Sequence, residues 1–337
     1  MSRRDHGVTV RDVAEHAGVG LSTVSNAINH PERLAATTLA KVQDSISALG
    51  FVRNDAARQL RLGRSRVFGL VVIDAGSPFF TVLERAAEDA ADRNHYAVLL
   101  GNSGQEPDRE RRYIELFESQ RVQGLFVTPL GHDLHLLAGV RERGTPVVLI
   151  DYAAAAPGFP AVAVDHMRGG RIAAEHLLEL GRRSIGLIEG PVAFTQVRDR
   201  YRGAVEAADA VGATTLSIPS PDLTIQGGVV AAHRLLGLPR GERPDAVFAP
   251  NDLVALGLME TLAAAGVAIP EEIAIIGYDD VAFAASARIP ISSMRQPAEA
   301  IGAAAVELMM EAIADPGSAR RIAFVPELIA RRSTLGN

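Results

Sequence analysis

Residues 9–29 read TVRDVAEHAGVGLSTVSNAIN. Thr9 followed by Asp12 has the spacing of an N-cap with an acidic partner three residues on. Val10, Val13, Ala14 and Ala17 then form a narrow apolar stripe at helical spacing. Gly18 is placed to take the left-handed conformation that ends this helix. A second helix is expected over about 21–28. Val24, Ala27 and Ile28 face inward, and Ser22, Thr23, Ser25, Asn26 and Asn29 face out. Two short helices around a Gly-containing turn, the second with a polar outer face, have the layout of a DNA-binding helix-turn-helix. Any small helical bundle contains such pairs, so geometry by itself leaves both readings open.

Working outward, a third helix over about 36–49 puts Leu39, Val42, Ile46 and Leu49 on one side and stops at Gly50. Three short helices can close one small core. Residues 54–62, NDAARQLRL, read as a further short helix capped by Asn54 and ended by Gly63. A helix this short is marginal in water, so a flexible linker off DNA is the competing reading.

Composition narrows the class. The chain has 337 residues, 47% of them hydrophobic, enough for two or three compact units. It has no apolar run long enough to span a bilayer and no apolar signal core near its N-terminus, so a soluble cytoplasmic protein is expected. It lacks cysteine, which excludes disulfides and thiolate metal sites. Residues 1–66 carry ten Arg and Lys against six Asp and Glu, whereas the whole chain is −6, so the remainder is −10. A basic head on an acidic body suits a partner with phosphates at one end only. No P-loop, no G-x-S-x-G and no metal-spaced His pair on a helix is present. His132-Asp133-x-His135 lies in a Gly-flanked segment and reads as surface polar. Neither an enzyme, a cofactor nor a bound metal is expected.

From Val67 the pattern becomes apolar strands alternating with amphipathic helices, the mark of parallel α/β sheets. Two such sets, breaking near 164–165, predict two similar lobes. Ligands of open α/β sheets bind beyond the carboxyl ends of the strands. Asp74, Phe79, Phe80, Asp151, Asn251 and Asp279 stand at such ends, and Arg200 lies near the start of a helix that follows a strand. Carboxylates and an amide can bond vicinal hydroxyls, Arg offers a fixed donor fork, and a Phe ring can cover a sugar face. The set suits a small sugar or polyol. Asp151 and Asp279 are also placed to cap the helix or turn after them, Asn251-Asp252 to cap a helix (with Asp252 as the cap), and the phenylalanines to be core.

These residues carry a resemblance. The N-terminal run, together with L-G-F at 49–51, N-x-x-A-R-Q-L at 54–60, S-P-F-F at 77–80, G-x-P-V-V-L-I-D at 144–151, P-N-D at 250–252 and G-Y-D-D at 277–280, is similar to the lactose-repressor (LacI/GalR) family of bacterial transcription regulators. The resemblance covers essentially the whole chain. It implies an all-α helix-turn-helix head over 1–53, a hinge helix and linker over 54–66, and a two-lobed α/β core over 67–337 of the type I periplasmic-binding-protein kind. The first lobe would hold 67–164 and 295–321, and the second 165–294 and 322–333.

On DNA, the resemblance implies that Thr9, Thr23, Ser25, Asn29 and Asn54 hold backbone, while Leu21, Ser22 and Asn26 read bases. Many relatives carry Arg where this chain has Asn26, and Asn pairs with adenine rather than guanine. Gly20 and Ala35 stand where relatives usually have a Ser cap. In the hinge, Ala57 and Leu60 would meet the minor groove, Leu60 as a wedge, with Arg61 along it. The implied partner is a palindromic double-stranded operator bound by a homodimer. No heptad tail follows A-R-R-S-T at 330–334, so no tetramer is expected. By the same resemblance Asp151, Arg200, Asn251, Asp279 and Gln296 contact an effector between the lobes, and Phe79 and Phe80 line its pocket. Leu223 replaces an aromatic wall found in relatives. The expected function is a repressor controlled by a sugar or polyol. The alternatives are control by a nucleobase or a corepressor protein, and, in another class, a solute-binding protein, which the missing signal segment disfavours.

Overall fold

The computed structural model describes residues 8–51, 65–131, 133–152, 156–190 and 194–336. The expected hinge residues Asn54, Ala57, Leu60 and Arg61, and His132, lie outside them. Two compact units emerge, dividing at residues 64 and 65.

The head is three helices, α1 (Val10–Ala17), α2 (Leu21–Asn29) and α3 (Ala36–Leu49). Thr9 and Asp12 form the expected reciprocal cap of α1. Gly18 and Gly50 end α1 and α3 in the left-handed conformation at φ of 61° and 60°. Val13, Ala14, Ala17, Val24 and Val42 form the buried core, with Ile28, Ile46 and Leu49 packed against it. Gly20 and Ala35 sit at the N-caps of α2 and α3 without a side-chain hydrogen bond. Each leaves donors of the first turn to solvent.

In the second unit the chain first builds β1 (Val67–Val72), α4 (Pro78–Arg93), β2 (Ala97–Asn102), α5 (Pro107–Ser119), β3 (Gly124–Val127), α6 (His135–Glu142), β4 (Val147–Ile150) and β5 (Ala161–Val164). It then builds α7 (His166–Glu179), β6 (Ser184–Glu189), α8 (Thr195–Ala210), β7 (Thr214–Pro219), α9 (Ile225–Leu236), β8 (Ala246–Phe248), α10 (Asp252–Ala264), β9 (Ala274–Asp279), α11 (Ala282–Ser286) and β10 (Ser292–Arg295). α12 (Ala298–Ala314) and β11 (Arg321–Phe324) return to the first sheet, and β12 (Glu327–Ile329) and α13 (Arg332–Leu335) end in the second. Among the described residues the sheets run β11-β5-β4-β3-β1-β2 and β12-β10-β9-β8-β6-β7. All pairs are parallel except β10 with β12.

One boundary corrects the sequence reading. Residues 322–324 were expected in the second lobe, but β11 pairs in parallel with β5 along Ala161–Val164. β5 would otherwise be an unpaired edge, and β11 covers it. Only β12, beyond Val325 and Pro326, crosses to the second sheet. α12 packs on α4 and on β4 and β5 of the first lobe.

Helices cover both faces of each sheet. Phe68, Leu70, Phe126 and Ile150 pack beneath α4 and α12, and Ile114, Phe117, Leu137 and Val140 seal the opposite face. In the second lobe Ala173, Leu177, Leu187 and Ile276 lie on one face, and Leu235, Leu258, Val247 and Ile275 on the other.

The contact of α7 with α8 is set by two glycines. A Cβ on Gly170 would overlap the carbonyl of Arg200, and one on Gly203 would overlap the carbonyl of Met167. No rotamer relieves a backbone overlap, so the helices must separate if either residue grows. Gly203→Ala is therefore expected to destabilise the core by about 2 kcal/mol or more. Urea unfolding checks it, and an unchanged midpoint contradicts the close approach.

Candidate effector cleft and DNA-reading helix

In each sheet the chain reverses direction beside one strand, β1 in the first (between β2 and β3) and β6 in the second (between β7 and β8). Crevices form outside the carboxyl ends of strands at such switch points. A cleft lies there between the lobes, with about 530 Å³ of unfilled space, part of it open to solvent. All nine residues proposed from sequence line it: Asp74, Phe79, Phe80, Asp151, Arg200, Leu223, Asn251, Asp279 and Gln296. Ile73, Ser77, Gln105, Phe194, Gln196 and Val197 complete the wall and were missed. Phe194 to Val197 could have been found by counting forward from β6 by the same strand-end rule used for the others.

The apolar side is built of phenylalanines. Phe79 and Phe80 meet edge to face, ring centroids 5.1 Å apart. Both are buried and belong also to the first lobe's core cluster, which Phe194 and Val197 of α8 extend from the other lobe. The pair thus lies in the core cluster and borders the cleft at the same time.

On the polar side, Asp151 follows β4 in a left-handed conformation, φ 56°. Its Oδ1 accepts from His166 Nε2 at 2.7 Å, and its carbonyl accepts from Gln196 Nε2 at 3.0 Å. Burial works against its ionisation, yet His166 and Arg200 hold the carboxyl below its ordinary value. Arg200 is buried. It donates from Nε to His166 Nδ1 at 3.2 Å and from a terminal nitrogen to the Pro250 carbonyl at 2.6 Å. Its guanidinium lies 3.7 Å from the centroid of the Tyr278 ring. Burial raises the Tyr278 hydroxyl above its ordinary range. Asp151 thus pairs with a neighbouring side chain and does not act as a helix cap.

Asp279 ends β9 with φ 99° and accepts from Gln296 Nε2 at 2.6 Å. Gln296 is buried, and its Oε1 has no hydrogen-bond partner among the described residues. Asp74 closes a local turn, Oδ1 accepting from Gly76 N at 2.9 Å. Asn251, not Asp252, caps α10: its Oδ1 accepts from Val254 N at 2.9 Å, while its Nδ2 donates to the Leu223 carbonyl at 2.9 Å. That second bond holds the Leu223 segment against the cleft. Asp252 is instead turned inward, accepting from Ser293 Oγ at 2.7 Å and Val281 N at 2.9 Å. Burial, with Asp279 nearby, pushes its carboxyl well above the ordinary range.

In the head, Leu21, Ser22, Ser25, Asn26 and Asn29 share one face of α2, and Val24 is buried on the other. Leu21 and Ser22 are exposed at its first turn. Asn29 Nδ2 donates to the Ser25 carbonyl at 2.8 Å, and Thr23 lies on the flank. Thr9 Oγ1 is engaged with Asp12, whose carboxyl that hydrogen bond holds below its ordinary value.

A helix-turn-helix head joined to a two-lobed α/β core with a polar interlobe cleft defines the class of protein. Comparison with known proteins gives its family. Residues 9–54 match the bacterial regulatory proteins of the lacI family, and residues 174–334 match the periplasmic binding protein-like domain. The HTH-type transcriptional repressor PurR of Photobacterium profundum is 30% identical over 331 residues, covering 96% of this chain and 98% of its own length. Its counterpart from Edwardsiella ictaluri is 30% identical, with 96% of each chain covered. Among solved structures, the lac repressor dimer bound to operator and the anti-inducer ONPF superposes with a TM-score of 0.85 at 24% identity, covering 98% of this chain and 100% of that one, a likeness of fold. The transcriptional regulator CelR in complex with cellobiose gives 0.72 at 29% identity, covering 97% and 99%. The chain belongs to the lacI family of bacterial regulatory proteins. It is a DNA-binding transcription regulator whose relatives are repressors and not enzymes. Among the described residues no helix is long and apolar enough to cross a membrane.

The cleft has a pH signature. Burial pushes the Asp279 carboxyl up to about 7 against the pull of Arg200 and of the Gln296 hydrogen bond, with Asp151 adding to the rise. An unfolded Asp releases its proton near pH 4, whereas folded Asp279 keeps it to about 7. The stability this group contributes is therefore complete at low pH and is lost as pH rises between those values. Relative to the parent, Asp279→Asn is expected to gain in melting temperature from pH 5 to pH 8. A difference that stays flat with pH contradicts the assignment.

Proposed function

We propose that this chain is a cytoplasmic transcriptional repressor whose operator affinity is set by a small polyhydroxylated effector, a sugar or polyol, held between the lobes. The observation that carries this reading is the acceptor-rich wall of the cleft. Gln296 Oε1 is buried without a partner among the described residues, fixed in orientation because its Nε2 is committed to Asp279. With Asp74 alongside as an acceptor, and Asp279 donating while protonated and accepting above pH about 7, the wall suits a ligand whose groups both give and take hydrogen bonds, as vicinal hydroxyls do. The phenylalanines opposite suit the C–H face of a sugar ring. The cellobiose complex of CelR and a relative from Enterococcus faecium with bound ribose lend support from similar proteins.

A nucleobase is the second reading. Phe79, Phe80 and Phe194 all line the cleft, and aromatic rings can stack on a planar heterocycle while Asp279 and Gln296 pair with its edge. A thermal-shift panel of sugars, polyols and nucleobases separates the two. Stabilisation by at least one sugar or polyol is expected. Stabilisation by nucleobases alone replaces the first reading with the second. With the stabilising compound in hand, Gln296→Met is expected to weaken its binding about tenfold by calorimetry, the worth of one buried hydrogen bond. Equal affinity removes Gln296 from the contact.

On DNA we infer a homodimer on a palindromic operator. The exposed face of α2 would enter the major groove, Thr9, Thr23, Ser25 and Asn29 would bear on the backbone, and the segment 54–62 would supply the hinge, with Leu60 as wedge. Asn26 would then pair with adenine. In a binding-site selection experiment Asn26→Arg is expected to shift one base of each half-site from adenine to guanine. An unchanged preference excludes Asn26 from base contact.

A further inference from the structure

His166 opens α7, was not singled out in the sequence, and does not line the cleft. It is 1% exposed. Behind the cleft wall it touches two residues that do line it. Nδ1 accepts from Arg200 Nε at 3.2 Å, so the geometry places the ring proton on Nε2, which donates to Asp151 Oδ1 at 2.7 Å.

These contacts cross the lobes. Asp151 follows β4 of the first sheet, whereas α7 and α8, which carry His166 and Arg200, pack on the second. A histidine that merely fills a core would be satisfied within its own lobe. This one joins a carboxylate on one lobe to a guanidinium on the other. Gln196 adds a second crossing bond, but to the Asp151 carbonyl, so it does not orient the carboxylate. Arg200 also donates from a terminal nitrogen to Pro250 and lies over the Tyr278 ring, while the imidazole holds its Nε edge.

We infer that His166 is a positioning residue: it ties the two lobes together through Asp151 and aims both Asp151 and Arg200 at the effector cleft. The inference concerns the lobes and does not depend on the effector's identity.

The chain contains no cysteine, so a spin-label pair can be introduced cleanly in the full-length protein. Glu115→Cys on α5 and Asp209→Cys on α8 give one exposed site on each lobe. In the otherwise unaltered protein, mixed with an excess of unlabelled protein so that two labelled chains rarely pair, double electron–electron resonance should give one narrow distance. His166→Leu, similar in volume and without ring nitrogens, is expected to add a displaced population amounting to a third or more of the molecules. His166→Gln, whose amide N–H can reach Asp151 in place of Nε2, is expected to restore the single distance. A distribution in His166→Leu equal to the parent's overturns the inference. So does a broadened one in His166→Gln, because the N–H donor would then not be what holds the lobes. If His166→Leu does not fold, His166→Phe, which also lacks ring nitrogens, takes its place with the same two outcomes.

Discussion

The buried chain Asp151–His166–Arg200–Tyr278 is the constraint around which the core is arranged. A guanidinium out of water must have its donors met and its charge balanced. Arg200 meets this with an imidazole, a backbone carbonyl and a ring face, and the imidazole passes the demand on to a carboxylate of the other lobe. None of this fits unless α7 and α8 touch backbone to backbone, which Gly170 and Gly203 permit. Small residues in two helices thereby set the position of a charged residue in the cleft.

The same logic explains the strained backbone there. Asp151 and Asp279 both take positive φ, uncommon for residues with a side chain. Each lies at or just beyond a strand's carboxyl end, and each is held by a side chain from elsewhere, Asp151 by His166 and Gln196, Asp279 by Gln296. Surrounding bonds over-determine these conformations, as expected where a site is held ready for a ligand.

Much of the fold was legible because its signals are local. The Thr9–Asp12 cap, Gly18 and Gly50 fix the helix ends of the head from within a few residues. β1, β6 and β9 are continuous apolar runs of the kind a doubly covered parallel sheet needs. Asp74, Phe79, Phe80, Asp151, Asn251 and Asp279 were legible by one rule, that ligands sit at the strand ends, whereas Leu223 and Gln296 came only from the family resemblance. What escaped is non-local. β5 is four residues long, and β10, Ser-Ser-Met-Arg, shows no apolar pattern, because Ser292 and Ser293 are buried against Thr334 and Asp252. β11 was assigned to the wrong lobe because its pairing with β5 spans the whole second lobe in sequence. His166 escaped because a histidine opening an amphipathic helix carries no mark of the carboxylate that folding brings to it.

Two units with different tasks share this chain, a head that reads DNA and a core whose cleft is rich in acceptors, and regulation requires that they be energetically coupled. The most direct measurement is fluorescence anisotropy of a labelled palindromic operator titrated with the full-length protein, with and without a saturating amount of the compound that stabilises the core. Coupling of about 1–3 kcal/mol corresponds to a change in operator affinity of roughly 5- to 150-fold, and a shift in that range is the expected result. Identical operator affinity with the cleft filled and unfilled would contradict it.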